Sequence, residues 1–454
     1  FSIADVYYSS TAIGDLDGDG DLDLLVTGQD GASASRLDQY MNNGAGGFTG
    51  ASVGFGFGEV QFSSIALGDI NGDGDLDLVA SGLRNGTNRL VVGVNGGAGI
   101  VAVSPFGAGV SSGSTSLGDL DGDGDIDLIV TGESGAGNRL DRYLNDGTGS
   151  LVAPTAFGTG VWISSTSLGD IDGDGDLDII VTGDDLSGTS RRLDKYLNDG
   201  AGTMSGPTAF GTAVRYSATS LGDTDGDGDL DLIVAGFDGA ASRLQRYVNN
   251  GAGSFAGPTN FGTGASGVPS TTLGDIDGDG DLDLVVTGDN GGPDQFDKYL
   301  NNGSGTFSGP TSIGFGLQYS SASFADLDND GDLDMIATGS NSAGYRLDKY
   351  VNDGTGTFTG PTVFGTGVEY TSTALGDLDA DGDVDLVFSG TSNSGASGAK
   401  LRRSINTSGV ANTAPNAPTA LTAATNGGKW ILRWTAPSDD HTASALLRYQ
   451  VAVA

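Results

Sequence analysis

Apolar residues in this chain fall in short alternating or continuous runs, with no helical periodicity sustained beyond ten residues. The runs return at a fixed interval. Trp162 to Asp170 (WISSTSLGD) is a Ser/Thr-rich segment that enters an acidic turn, and Leu177 to Thr182 (LDIIVT) leaves it. Arg192 to Asn198 (RLDKYLN) then alternates and ends at Asp199-Gly200, a hairpin signal. A fourth segment, Thr203 to Phe210, precedes Gly211 and the next entering segment. Each segment reads as a strand, so one unit of about fifty residues predicts four short antiparallel strands joined by Gly-rich turns.

Eight such units follow one another. Isolated four-stranded sheets would expose both faces, whereas radial stacking buries each face against its neighbour. Leu24, Val26, Leu128, Val130, Ile180 and Val234 recur at matching places and predict those buried faces. The expected fold is all-β, an eight-bladed β-propeller of four-stranded antiparallel blades over residues 1–409. Disorder, the other reading of so much Gly and Asp, does not fit strand-forming runs repeated eight times.

The turn after each entering strand carries the chemistry. In the first, Asp15, Asp17, Asp19, Asp21 and Asp23 alternate with Leu and Gly. That many carboxylates repel one another strongly without a cation. Hard Ca²⁺ takes six to eight oxygens, and side chains at loop positions 1, 3 and 5 can converge on it, with a carbonyl at position 7. A carboxylate at position 9 closes the shell, and Gly20 stands at position 6, where the turn is sharp. An EF-hand would place Glu at position 12, but that residue is Val26, in a strand.

The loop recurs as Asp69, Asn71, Asp73, Asp75 and Asp77, then as Asp119, Asp121, Asp123, Asp125 and Asp127. Asp170, Asp172, Asp174, Asp176 and Asp178 form the fourth, and Asp223, Asp225, Asp227, Asp229 and Asp231 the fifth. The sixth is Asp275, Asp277, Asp279, Asp281 and Asp283. The last two are Asp326, Asp328, Asp330, Asp332 and Asp334, and Asp377, Asp379, Asp381, Asp383 and Asp385. Up to eight Ca²⁺ are expected, one per repeat. Asn71 keeps a carbonyl oxygen and predicts a weaker site, while Asn329 and Ala380 replace Gly at position 4 and are expected to be tolerated.

Composition sharpens this. Of the 59 acidic residues, 39 lie in these loops, and eight Ca²⁺ would reduce a formal charge of −39 to about −23. No basic stripe exists to neutralise phosphates, so nucleic acid is not an expected partner. Cysteine is absent, and no apolar run approaches a membrane span. Dependence on calcium points to a secreted or cell-surface protein, because weak-to-moderate sites fill at extracellular levels. A start at Phe1 without Met suggests a mature, processed form.

The repeat resembles the FG-GAP/VCBS family: a loop such as GDLDGDGDLDLLVTG, a turn such as Asn145 to Gly149, then an FGTG-like segment at Phe157 to Gly160. Integrin α-subunit heads and many bacterial surface proteins resemble it as well. The resemblance spans about residues 1–409. It implies a propeller with Ca²⁺ between strands one and two of each blade.

The eighth repeat lacks a fourth segment, and Phe1–Val6 are expected to complete it and latch the ring. Residues 410–419 read as a Pro-rich linker. Residues 420–454, with Trp434 and Tyr449 in core places, resemble the first strands of a fibronectin type III domain, an incomplete β-sandwich. Either the chain continues beyond Ala454 or another chain supplies the missing strands.

His441 is the one histidine, and no Ser/His pairing, phosphate loop or zinc spacing is present. The sequence therefore predicts no enzyme activity. Aromatics seven residues before the first loop Asp, namely Tyr8, Phe62, Tyr216, Tyr319 and Tyr370, with Trp162 eight before, should lie at the end opposite the calcium loops. They are candidates for a ligand face, or else for packing between blades. Arg36-Leu37-Asp38, Arg139-Leu140-Asp141, Arg192-Leu193-Asp194 and Arg346-Leu347-Asp348 predict ion pairs between neighbouring blades, with a ligand clamp as the alternative. Asn85, Asn302 and Asn406 match the N-glycan acceptor pattern.

Three roles fit these features. The first is a calcium-stabilised adhesion or protein-interaction module of a larger extracellular protein. The second is a lectin using inter-blade grooves, so that a protein or a glycan is the expected ligand. The third is a structural subunit of a surface layer or filament, assembling with its own copies through 410–454.

Overall fold

The computed structural model describes residues 5–30, 32, 34–49, 60–152, 154–185, 190–292, 294–392, 399–407, 419–426 and 429–435. These residues are all-β, with no helix among them. In every repeat an entering strand pairs antiparallel with an exiting strand, and that with a third. In the fourth repeat these are Thr155–Gly169, Asp178–Asp184 and Arg191–Leu197.

The expected fourth strand exists but does not stop where the sequence suggested. Ser205–Gly222 runs without a break from the outer edge of the fourth repeat into the entering strand of the fifth. Its first half pairs with Arg191–Leu197 and its second with Asp231–Phe237. Ala256–Gly274 and Thr359–Gly376 do the same. These long strands merge the third to sixth repeats into a 13-stranded sheet and the last two into a six-stranded one.

Two motifs gain a physical account here. Phe157 of the FGTG segment meets the Tyr196 ring edge-on at 5.2 Å, and Phe106 meets Tyr143 likewise. The next residue is Gly because the tyrosine lies against it: a Cβ on Gly158 or Gly211 would overlap the ring of Tyr196 or Tyr247.

The core lies between repeats. Leu120, Ile129 and Leu140 of the third repeat share a buried cluster with Val161, Ile179 and Val181 of the fourth. Each later pair repeats the pattern, and Val6, Leu24 and Val26 of the first repeat pack with Leu378, Val387 and Leu401 of the eighth. The positions expected to be buried are so: Leu24, Val26, Leu128, Val130, Ile180 and Val234 are at most 1% exposed.

The first and eighth repeats are in direct contact. Thr11 and Ser372 share a hydroxyl hydrogen bond of 2.7 Å, and Asp5 pairs with Arg402 and Lys400 on the last third strand. Of the segment expected to latch the ring, Asp5 and Val6 therefore sit beside the eighth repeat. Phe1 to Ala4 lie outside the described residues, as do the linker at 410–418, His441, Tyr449 and everything from 436 onward. The described part of the C-terminal segment is one hairpin, Thr419–Asn426 with Lys429–Thr435, and the Trp434 side chain lies outside the description.

Candidate functional site

Each acidic loop begins where an entering strand ends. In the first, Gly18 and Gly20 donate their N–H groups to the two oxygens of Asp15, at 2.7 and 3.0 Å, which curls the loop inward. One carboxylate oxygen each of Asp15, Asp17 and Asp19 then lies within 4.8 Å of the others. Positions 1, 3 and 5 converge likewise in the fifth and sixth loops. In the third and fourth, positions 1 and 3 converge with position 9, as Asp119, Asp121 and Asp127 and as Asp170, Asp172 and Asp178.

Position 3 carries the sharpest signal. One oxygen of Asp17, Asp121, Asp172, Asp225, Asp277, Asp328 and Asp379 is buried with no hydrogen-bond partner. Such an orphan is costly unless something else pairs with it. The same atom is orphaned in all seven loops that carry Asp at that position. In the remaining loop, the amide of Asn71 donates to Asp73 at 2.9 Å. Burial first, and then the neighbouring position-5 carboxylate, raise the pKa of Asp121 and Asp277.

Position 9 is a structural hub as well as a candidate ligand. Asp127 is fully buried and accepts N–H bonds from Leu120 at 2.8 Å and Asn145 at 2.7 Å. Burial nonetheless pushes its pKa up to about 6, and that of Asp334 up to about 7. Position-7 side chains face away: those of Asp21, Asp125 and Asp176 lie against Gly44, Gly147 and Gly200 in the turn after the third strand.

The asparagine that ends each third strand was not singled out in the sequence. Asn145 donates its side-chain amide to the carbonyl of Ile126 in its own loop and of Ile70 in the preceding loop. Asn198, Asn249, Asn301 and Asn352 do the same. The only outward cue was an Asn before each hairpin turn, which reads as ordinary turn chemistry.

The fifth loop differs. Arg246 donates to Asp225 at 2.8 Å and to Asp231 at 2.7 Å, and Thr224 replaces the aliphatic residue found at position 2 elsewhere. A built-in cation already stands beside these carboxylates.

The Arg-Leu-Asp motif pairs differently from expectation. Arg139 binds Asp141 at 2.7 Å within one strand, as do Arg192 with Asp194 and Arg346 with Asp348. Residues two apart on a strand share a face, and here that proximity pairs the charges within the strand, although one oxygen of Asp141 and one of Asp194 stay buried without a hydrogen bond.

At the far end of the entering strands, Tyr8, Tyr216, Tyr319 and Tyr370 line one cavity of about 770 Å³. Trp162 does not line it; Ile163 takes that place. Ile163 stands seven residues before its loop, as the tyrosines do, whereas Trp162 stands one residue earlier and pairs with Asp184 in the ladder. The Phe62 side chain lies outside the described residues. Packing between repeats and lining a cavity prove compatible, since Tyr370 contacts Tyr319 at 4.5 Å and Tyr8 at 5.5 Å between ring centroids.

Among solved structures, an exotype rhamnogalacturonan lyase is 14% identical over 95% of this chain and 81% of its own, with a TM-score of 0.44. The V. cholerae biofilm matrix protein is 12% identical over 88% and 87%, at 0.37. The Aleuria aurantia lectin, bound to α-methyl-L-fucoside, is 17% identical over 69% and 100%, at 0.36. No curated protein matches the chain. The expectation of no enzyme activity is corrected by these likenesses, because rhamnogalacturonan and ulvan lyases among them are enzymes. At such scores they assign no activity to this chain. No helix among the described residues is long and apolar enough to cross a membrane. The FG-GAP-like repeat matches residues 12–80, 119–181, 223–286, 275–337 and 335–388, well over half of the sequence, and the chain belongs to that family.

Proposed function

We propose that the chain is a calcium-stabilised extracellular module for adhesion or protein interaction, built as a closed eight-bladed propeller. The carrying observation is the orphaned, buried position-3 carboxylate oxygen in seven loops. A divalent ion held by positions 1, 3, 5 and 9 would satisfy it and relieve the repulsion around it. Each loop sits where one repeat touches the preceding one, through the asparagine amides, so an ion there would stiffen a contact between blades. Calcium suits the all-oxygen donor set, and sites of this kind fill outside the cell.

Ligands would be held at the end of the entering strands away from the loops, where the tyrosines gather. The direct test is a calcium titration of chelator-treated protein. Saturation at about seven to eight ions per chain supports the reading, and fewer than about two contradicts it.

A further inference from the structure

The tyrosine-lined cavity is encircled by the entering strands of all eight repeats. At its rim each described strand but the third carries a β-bulge at the same place, for example between Tyr7 and Ser10, Arg215 and Ala218, and Glu369 and Ser372. The first bulge residue turns out of the ladder and is left-handed: φ is 49° at Tyr8, 46° at Tyr216 and 51° at Tyr370. Ile163 at 49° and Val268 at 60° adopt the same conformation although they are β-branched. Glycine would relieve this strain, yet in a chain with 81 glycines only the sixth repeat has one in its bulge, Gly267, and Val268 beside it is left-handed all the same. Strain kept where it is cheaply removed marks side chains that are needed in the cavity.

The lining has a definite chemistry. Tyr319, Tyr370 and Tyr8, from three successive repeats, form a continuous aromatic wall. Beside the tyrosines stand hydroxyls, each bonded to a hydroxyl of the preceding repeat: Ser217 with Thr182 at 2.7 Å, Thr371 with Thr338 at 2.7 Å, and Ser9 with Ser389 at 2.7 Å. Every such oxygen keeps accepting capacity for a guest. No charged side chain is among the lining residues.

We infer that this cavity binds the end of a neutral oligosaccharide chain. Aromatic faces suit the C–H face of a sugar, and the hydroxyl ring suits its alcohol groups. An anionic sugar would meet no cation among the lining residues, and Arg215, which lies over the Tyr216 ring, is already paired with Asp184, inside a protein of charge −39. A chain end fits better than a chain flank, because lining residues surround the cavity. The inference rests on the binding-module reading above and names the ligand class for its site.

The test uses the full chain in calcium buffer, probed with neutral gluco-, manno-, galacto- and fuco-oligosaccharides beside uronate and sialylated ones. Neutral probes are expected to bind, and Tyr370→Gly, which also removes backbone strain, should weaken binding at least about ten-fold. Val268→Trp, which fills the cavity from a different repeat, should do the same without touching the tyrosines. Binding of no neutral probe, preference for acidic probes, or unchanged affinity in both variants overturns the inference. The calcium titration is read separately, so failure here with seven or eight ions bound leaves the module reading standing.

Discussion

The side-chain amide of Asn42 donates to the backbone carbonyl of Leu378 at 2.6 Å, so the first repeat grips the acidic loop of the eighth. The same bond joins Asn95 to Leu16, and so on around to Asn406 with Leu327. If the repeats close on themselves, the Asn42 bond is equivalent to those within the array. Asn42→Ala and Asn145→Ala should then each cost about 2–3 kcal/mol, because buried carbonyls lose their donor. Urea denaturation measures this. An Asn42→Ala cost near zero beside a large Asn145→Ala cost would mean an open chain of repeats.

Arg246 makes the fifth loop behave unlike the rest. It neutralises Asp225 and Asp231 from within, so a bound ion has less to gain there. In chelator, Arg246→Met should destabilise by about 3 kcal/mol, since it leaves the buried Asp231 and the partly exposed Asp225 unpaired. Calcium should then recover most of the loss. Melting curves of the variant with and without calcium check this, and equal losses in both conditions would contradict it.

Position 4 of each loop is left-handed, and Ala380 adopts φ 58° there without the side-chain hydrogen bonding that helps Asn329 at 61°. Ala380→Gly should stabilise the protein by about 1 kcal/mol, by removing the Cβ penalty. Asn329→Gly should gain less. Denaturant midpoints of the two variants give the comparison.

The loops were legible because ion chelation needs donors at fixed odd positions, a pattern that survives in sequence whatever the tertiary context. The strands were legible from alternation, and the buried Leu24 and Val130 sit where their period placed them. What depends on contacts between repeats was not. Asn145 shows no sequence feature announcing that it reaches a carbonyl 75 residues back. The Ser/Thr-rich character of the entering strands was plain, but its meaning, hydroxyl pairs between repeats such as Ser220 with Thr271, needs coordinates. Trp162 misses the cavity because it stands one residue earlier in its strand than the tyrosines do, at a position that pairs with Asp184. The Arg-Asp pairs were assigned to the wrong partner because a two-residue spacing permits bonds both within and between strands.

Burial holds Asp23, Asp127, Asp178, Asp283 and Asp385 at pKa values of about 6, above the ordinary carboxylate range. A pKa raised on folding means that the folded state binds protons more readily than the unfolded one. In chelator, stability should therefore rise as pH falls from about 7 to about 4, and level off below that. In calcium the trend should reverse, because protons compete with the ion for the same carboxylates. Melting temperatures across pH in the two buffers should show opposite slopes. Slopes of one sign in both would contradict the assignment.

The most direct test of the account is thermal unfolding of the full chain in millimolar calcium and again in excess EGTA. Each ion bound only by the folded form adds about 2.7 kcal/mol at a concentration 100-fold above its dissociation constant. Several ions acting together should lower the melting temperature by more than about 10 °C when they are removed. A shift within about two degrees would contradict the claim that cations in the acidic loops hold these repeats together.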